Sequence, residues 1–201
     1  MSSLRGTTRQ YWVALRAMIV FTVVLGIAYP IVITGIGLIA PSQANGSKLT
    51  VDGKTVGSAL LGQSFTDSKG NALPQWFQSR PSAAGTGYDA GASSASNQGT
   101  ESPALITAIK QRKAAIAKSD NVNPASIPPD ALTASASGLD PDISPAYARL
   151  QIDRVAAARD LTVAQVTKLV NSFVAGRELG YIGDPTVNVL ELNIALSKLK
   201  G

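Results

Sequence analysis

Two aspartates, Asp140 and Asp142, stand two residues apart in the segment 133–145 (TASASGLDPDISP), among small side chains and two prolines. Neighbouring carboxylates can divide acid and base roles when their surroundings push their pKa values apart. Alternate residues on a proline-bounded loop often face apart, however. Asp140-Pro141 also reads as a turn, with Ser144 capping the helix that follows. Other chemistries find few residues to work with. The 201 residues include no cysteine and no histidine. Without cysteine there is no disulfide framework, no thiol nucleophile and no soft-metal ligand. Without histidine the commonest general base, metal ligand and pH switch are missing, and a Ser-His-Asp triad is excluded. The one S-x-x-K pair, Ser197 and Lys200, sits where no pocket could close over it. Gly85, Gly87 and Gly91 lack G-x-G-x-x-G spacing, no G-x-x-x-x-G-K-[ST] occurs, and the acids are too scattered for an EF-hand. No catalytic residue, metal ligand or covalently bound cofactor is expected.

The elements that position these residues begin with a membrane anchor. Residues 17–40 (AMIVFTVVLGIAYPIVITGIGLIA) are 24 positions without a charge. At ~1.5 Å per residue such a helix reaches roughly 36 Å, enough to cross a ~30 Å hydrocarbon core. Arg5, Arg9 and Arg16 precede it, with Tyr11 and Trp12 where an interfacial aromatic anchor belongs. The positive-inside rule then makes 1–16 a cytoplasmic tail, 17–40 a single span and 41–201 an extracytoplasmic domain. A signal peptide cleaved near Ala44 is the alternative, but its apolar region would run only ~7–15 residues. All 13 acidic residues and 15 of the 18 basic ones lie beyond residue 40, so the outer part nets only about +2. The basic character of the chain therefore reports topology rather than nucleic-acid binding.

Within the span, Thr22, Gly26, Pro30 and Thr34 recur at i+4 and share a face. Small residues there let a partner helix approach closely, and Pro30 is expected to kink the helix. The outer part reads as α+β, with a small sheet and loops followed by helices. Asp52-Gly53 makes a hairpin turn between 48–51 and 55–61. Phe65, Trp76 and Phe77 are the aromatics expected to anchor the sheet, and 82–100 is a long surface loop around Tyr88. Helices start at Ser102-Pro103 (to about Lys118), at Ser144-Pro145, at Thr162 with Gln165 as a capping box, and at Asn188 with Glu191. The third should stop at Gly176.

Several stretches together resemble one family closely and along nearly the whole chain: 22–34 (TVVLGIAYPIVIT), 57–65 (GSALLGQSF), 76–83 (WFQSRPSA), 133–145, 154–159 (RVAAAR) and 183–196 (GDPTVNVLELNIAL). The chain resembles the C subunit of the bacterial Kdp-type potassium-transporting ATPase. That resemblance implies a non-catalytic, single-span accessory subunit of a high-affinity, ATP-driven K⁺ uptake complex in the cell membrane. Its partners would be an ATP-hydrolysing subunit, a channel-like K⁺ subunit and membrane lipid. It also implies a role in assembly, and a catalytic-chaperone role that raises ATP affinity, with Gln151 as the proposed nucleotide contact. Tyr147, Gln151 and Arg154 are spaced to share one exposed helix face, an outline for base stacking, hydrogen bonding and phosphate contact. An open face without a phosphate-cradling loop would bind weakly, and cytoplasmic ATP does not reach an outer domain, so any effect on ATP affinity is expected to be relayed through the membrane helices. Asp140 and Asp142 could then belong to an interface or to the K⁺ entrance. The two competing functions are a membrane-anchored extracytoplasmic enzyme using carboxylates and a secreted binding protein freed by signal cleavage.

Overall fold

The computed structural model describes residues 3–199, so Lys200 of the S-x-x-K pair lies outside the described residues. The chain divides into two compact units, one ending at Ser47 and one starting at Lys48.

The first unit is helical: α1 (Ser3–Phe21), a π-helical segment (Thr22–Ala28), α2 (Tyr29–Ile39) and a short α3 (Pro41–Ala44). Thr7–Ile39 is apolar and long enough to cross a membrane, and none of it is buried. The helix widens one turn ahead of Pro30. Proline has no N–H and crowds the carbonyl four residues back, which is that of Gly26. The Tyr29 N–H bonds to Val24 O, a five-residue reach that takes up the misfit. This widening affects the small-residue face. In an α-helix each four-residue step overshoots a full turn by about 40°, so Thr22 and Thr34 would drift roughly 120° apart. Four residues fall short of a wider π turn, which offsets the drift and keeps the four residues on a narrower stripe.

The second unit begins with a hairpin, β1 (Lys48–Val51) and β2 (Lys54–Ser58), turned by Asp52 and Gly53 at φ 48° and 77°. Positive φ at both turn positions is the type I′ geometry that Asp-Gly favours. Residues 59–102 form no helix or named strand. The helices follow: α4 (Pro103–Ser119), α5 (Pro145–Leu150), α6 (Ile152–Ala158), α7 (Val163–Ser172) and α8 (Val189–Ser197). Three short strands, β3 (Asp142–Ile143), β4 (Val174–Ala175) and β5 (Thr186–Asn188), form an antiparallel sheet in the order β3-β5-β4.

Most start signals act as read. Ser144 Oγ accepts the Tyr147 N–H at 3.0 Å, Thr162 and Gln165 form the reciprocal capping box, and Asn188 Oδ1 accepts the Glu191 N–H at 3.1 Å. At Ser102 the side chain makes no capping bond, and Pro103 alone marks the start. Helix α7 ends at Ser172 rather than Gly176, because Val174 and Ala175 pair with β5. The helix opened by Ser144-Pro145 breaks at Gln151, whose N–H bonds to Ala148 O, three residues back.

The core is built mainly by α5 to α8 and β5 around Val155, Val166, Val170, Val187, Leu192 and Leu196. Phe77 is buried in it although no strand carries this residue. The aromatics expected to anchor a sheet instead fasten an irregular strap, residues 73–78, over the helices. The rings of Phe65 and Trp76 meet at 6.3 Å, and the Arg159 guanidinium stacks 5.0 Å from the Trp76 ring centre.

Candidate functional site

The strap crosses the helices without strand partners, so its backbone groups need side chains. Two buried amides supply them. Asn193 Oδ1 accepts the Phe77 N–H at 3.0 Å and its Nδ2 donates to Phe77 O at 3.0 Å. Gln151 Oε1 accepts the Gln78 N–H at 2.6 Å and its Nε2 donates to Gln78 O at 3.2 Å. Each amide thus closes both backbone groups of one residue, as a neighbouring strand would. The Gln78 side chain turns inward and donates to Phe65 O, Leu73 O and Trp76 O.

Arg154 completes the clamp. Its Nη1 donates to Pro74 O at 2.7 Å and Trp76 O at 3.0 Å, and its Nη2 to Gln151 Oε1 at 2.7 Å. Its Nε meets Asp120 Oδ1 at 2.7 Å at the C-terminal end of α4, with side chains only 7% and 4% exposed. A desolvated pair is tolerable only when its remaining donors and acceptors are also met, which Ser119 Oγ does for Asp120 Oδ2 at 2.7 Å.

This geometry corrects the exposed-face reading of Tyr147, Gln151 and Arg154. Gln151 is 0% exposed and Tyr147 4%, and every polar atom of the Gln151 amide faces protein. The three residues meet the domain's own interior, not solvent. Burial also pushes the Tyr147 phenol above its usual pKa, so it stays protonated at neutral pH.

Asp140 and Asp142 have different partners. Asp140 Oδ2 accepts Arg80 Nη1 at 2.7 Å and Oδ1 accepts the Asp142 N–H at 3.0 Å, so it closes the turn and ties it to the segment that follows the strap. Asp142 lies in β3 opposite Asn188. Half-burial raises its pKa, Asp140 and then Glu191 add to the rise, and hydrogen bonds from Thr186 and Asn188 work against it. A carboxyl with a raised folded-state pKa adds most stability at low pH, and this is lost as pH rises through that raised value. Asp142→Asn is therefore expected to raise the melting temperature slightly at neutral pH, with the gain fading toward pH 4. Asp140→Asn is expected to lose roughly 1–2 kcal/mol, since it gives up a charged bond that is only partly screened. Thermal melts of both variants from pH 4 to 8 check the pair.

In the helical unit Thr22, Gly26, Pro30 and Thr34 are all exposed. The Thr34 hydroxyl is already committed, donating to Pro30 O at 2.8 Å. A Cβ at Gly26 would meet only Thr22 Cγ2 at 3.9 Å, so the helix itself has room for a side chain there.

Gln78, Arg80, Asp120 and Asn193 carry much of this arrangement and were not singled out from the sequence. The available signal was Asn193 standing among the apolar residues of α8, where an amide must find a partner.

The comparisons with known proteins agree with one another. The family model described as "K+-transporting ATPase, c chain" matches residues 11–198. A potassium-transporting ATPase KdpC subunit from Kineococcus radiotolerans is 50% identical, covering 96% of each chain. That of Caulobacter vibrioides is 53% identical over 91% of this chain and 90% of its own. That of Mycobacterium bovis is 47% identical over 95% and 99%. The chain belongs to the KdpC family, the c chain of K⁺-transporting ATPases.

Proposed function

We propose that this chain is a non-catalytic, single-pass subunit of an ATP-driven K⁺ uptake complex, needed for its assembly and stability. Its partners are the ATP-hydrolysing and channel-like subunits, in a bacterial cell membrane. The observation that carries this reading is the apolar helix Thr7–Ile39, wholly unburied within the chain and bearing a stripe of small residues. Lipid tails cover such a helix as well as leucine does, so a stripe of this kind gains most where another helix packs on it. The face formed by Thr22, Gly26, Pro30 and Thr34 packs on a partner helix in the complex.

The domain from Lys48 onward lies outside, over the K⁺ entrance. Its near-neutral charge makes it a poor general attractor of cations, so it acts there by shape and contact. The arginines before the span support this orientation. The chain lacks cysteine, so single cysteines report sidedness cleanly. In intact cells a membrane-impermeant thiol reagent should label Thr100→Cys and leave Gln10→Cys untouched. The reverse pattern would invert the topology.

Any gain in ATP affinity reaches the ATP-hydrolysing subunit through helix contacts that differ between pump states, not through nucleotide held by Gln151. The full chain alone is expected to bind ATP no tighter than the millimolar range, about −4 kcal/mol. Titration calorimetry giving a micromolar Kd would instead support direct nucleotide contact.

A further inference from the structure

The guanidinium groups of Arg80 and Arg112 are anchored on consecutive backbone carbonyls. Arg112 Nη1 donates to Leu132 O at 2.8 Å, and Arg80 Nη2 reaches Thr133 O at 3.5 Å. Two like charges gathered this closely repel unless anions compensate them. Arg80 has Asp140, at 2.7 Å. Arg112 has no carboxylate at ion-pair distance among the described residues, although it is half-buried and desolvation lowers its pKa. The Arg80 Nε is also buried without an acceptor among the described residues.

Both arginines line one open cavity of about 300 Å³, between the strap's C-terminal continuation and one side of α4. No acidic residue lines it. Three of its hydroxyls are already spent: Ser79 donates to Gln63 O, Ser82 to Gly138 O and Tyr88 to Arg80 O. Ser64 and Thr66 share a single bond at 2.7 Å, which leaves one hydroxyl proton free to donate. The cavity therefore offers positive charge and unmet donors, with no carboxylate lining it to meet them. Its volume is at the small end of ligand pockets.

We propose that this cavity binds a small oxyanion, carried as a phosphate or carboxylate group, held between Arg112 and Arg80 with the Ser64 and Thr66 hydroxyls as a further donor. A planar guanidinium matches two oxygens of either group, and a partly desolvated site strengthens that contact. This assignment is independent of how the chain assembles with its partners.

Calorimetric titration of the full chain in detergent, at constant ionic strength set with chloride, tests it with inorganic phosphate and with succinate as probes. Saturable binding is expected for at least one, and which one binds identifies the group. Arg112→Gln should weaken that binding at least about tenfold. Ala115→Trp, an exposed position of α4 that lines the cavity, should block it while leaving both arginines in place. If Arg112→Gln does not fold, Ala115→Trp decides alone. No saturable binding of either probe, or an unchanged Kd in the folded variants, overturns the proposal.

Discussion

Arg154→Ala is expected to destabilise the C-terminal unit by roughly 3–5 kcal/mol, the usual cost of stranding one partner of a buried ion pair. The loss leaves Asp120 buried without its guanidinium, together with the strap carbonyls of Pro74 and Trp76. For a unit of this size that corresponds to a melting temperature lower by roughly 6–20 °C. Thermal unfolding of the full chain in detergent, followed by circular dichroism, measures it. Asp120→Asn should be milder, because Asn keeps an acceptor for Arg154. A double-mutant cycle of the two should show strong coupling, since both act through one network. A loss below 1 kcal/mol for Arg154→Ala would mean that the strap is not held this way.

Gln151→Ala is expected to cost roughly 3–4 kcal/mol, combining a small cavity with the unmet Gln78 N–H and carbonyl and an unmet Arg154 donor. Asn193→Ala should cost a comparable amount by freeing Phe77. The two should not add fully, because either loss already loosens the same strap. This has a consequence for function. Loss of pumping in a Gln151 variant should follow unfolding of the domain and recover at lower temperature. Pumping lost at a temperature where the domain remains folded would point to a contact that Gln151 makes beyond its own chain.

Much of the helical half is legible because its signals are local. Ser144, Thr162 and Asn188 each cap a helix within three residues, and α7 buries Val166 and Val170 on one regular face. The hairpin is legible from Asp52-Gly53 for the same reason. The sheet β3-β5-β4 is not, since strands of two or three residues are too short to show an alternating pattern. Nor is the strap. Residues 73–78 carry no periodicity, and the groups that hold them, Gln151, Arg154, Asn193 and Asp120, come from distant parts of the chain. Polar residues spaced along a helix suggest solvent exposure, so Gln151 and Arg154 read as an open surface. Their burial follows from long-range hydrogen bonds to a segment that local reasoning leaves as loop. The span shows a milder version: Pro30 announces a disturbance, but the widened turn before it depends on how the neighbouring residues regain their hydrogen bonds.

If the span holds this chain in the pump through its small-residue face, substitutions on that face should release the chain from its partners. Co-purification from detergent-solubilised membranes tests it directly, comparing Gly26→Leu with Val24→Leu against the native chain. A Cβ at Gly26 meets its own helix only at ordinary contact distance, so a loss seen there and not at Val24 points to a partner. Gly26→Leu is expected to recover far less of the other pump subunits, and Val24→Leu to recover as much as the native chain. Equal recovery with both variants would contradict the claim and leave the helix a plain membrane anchor.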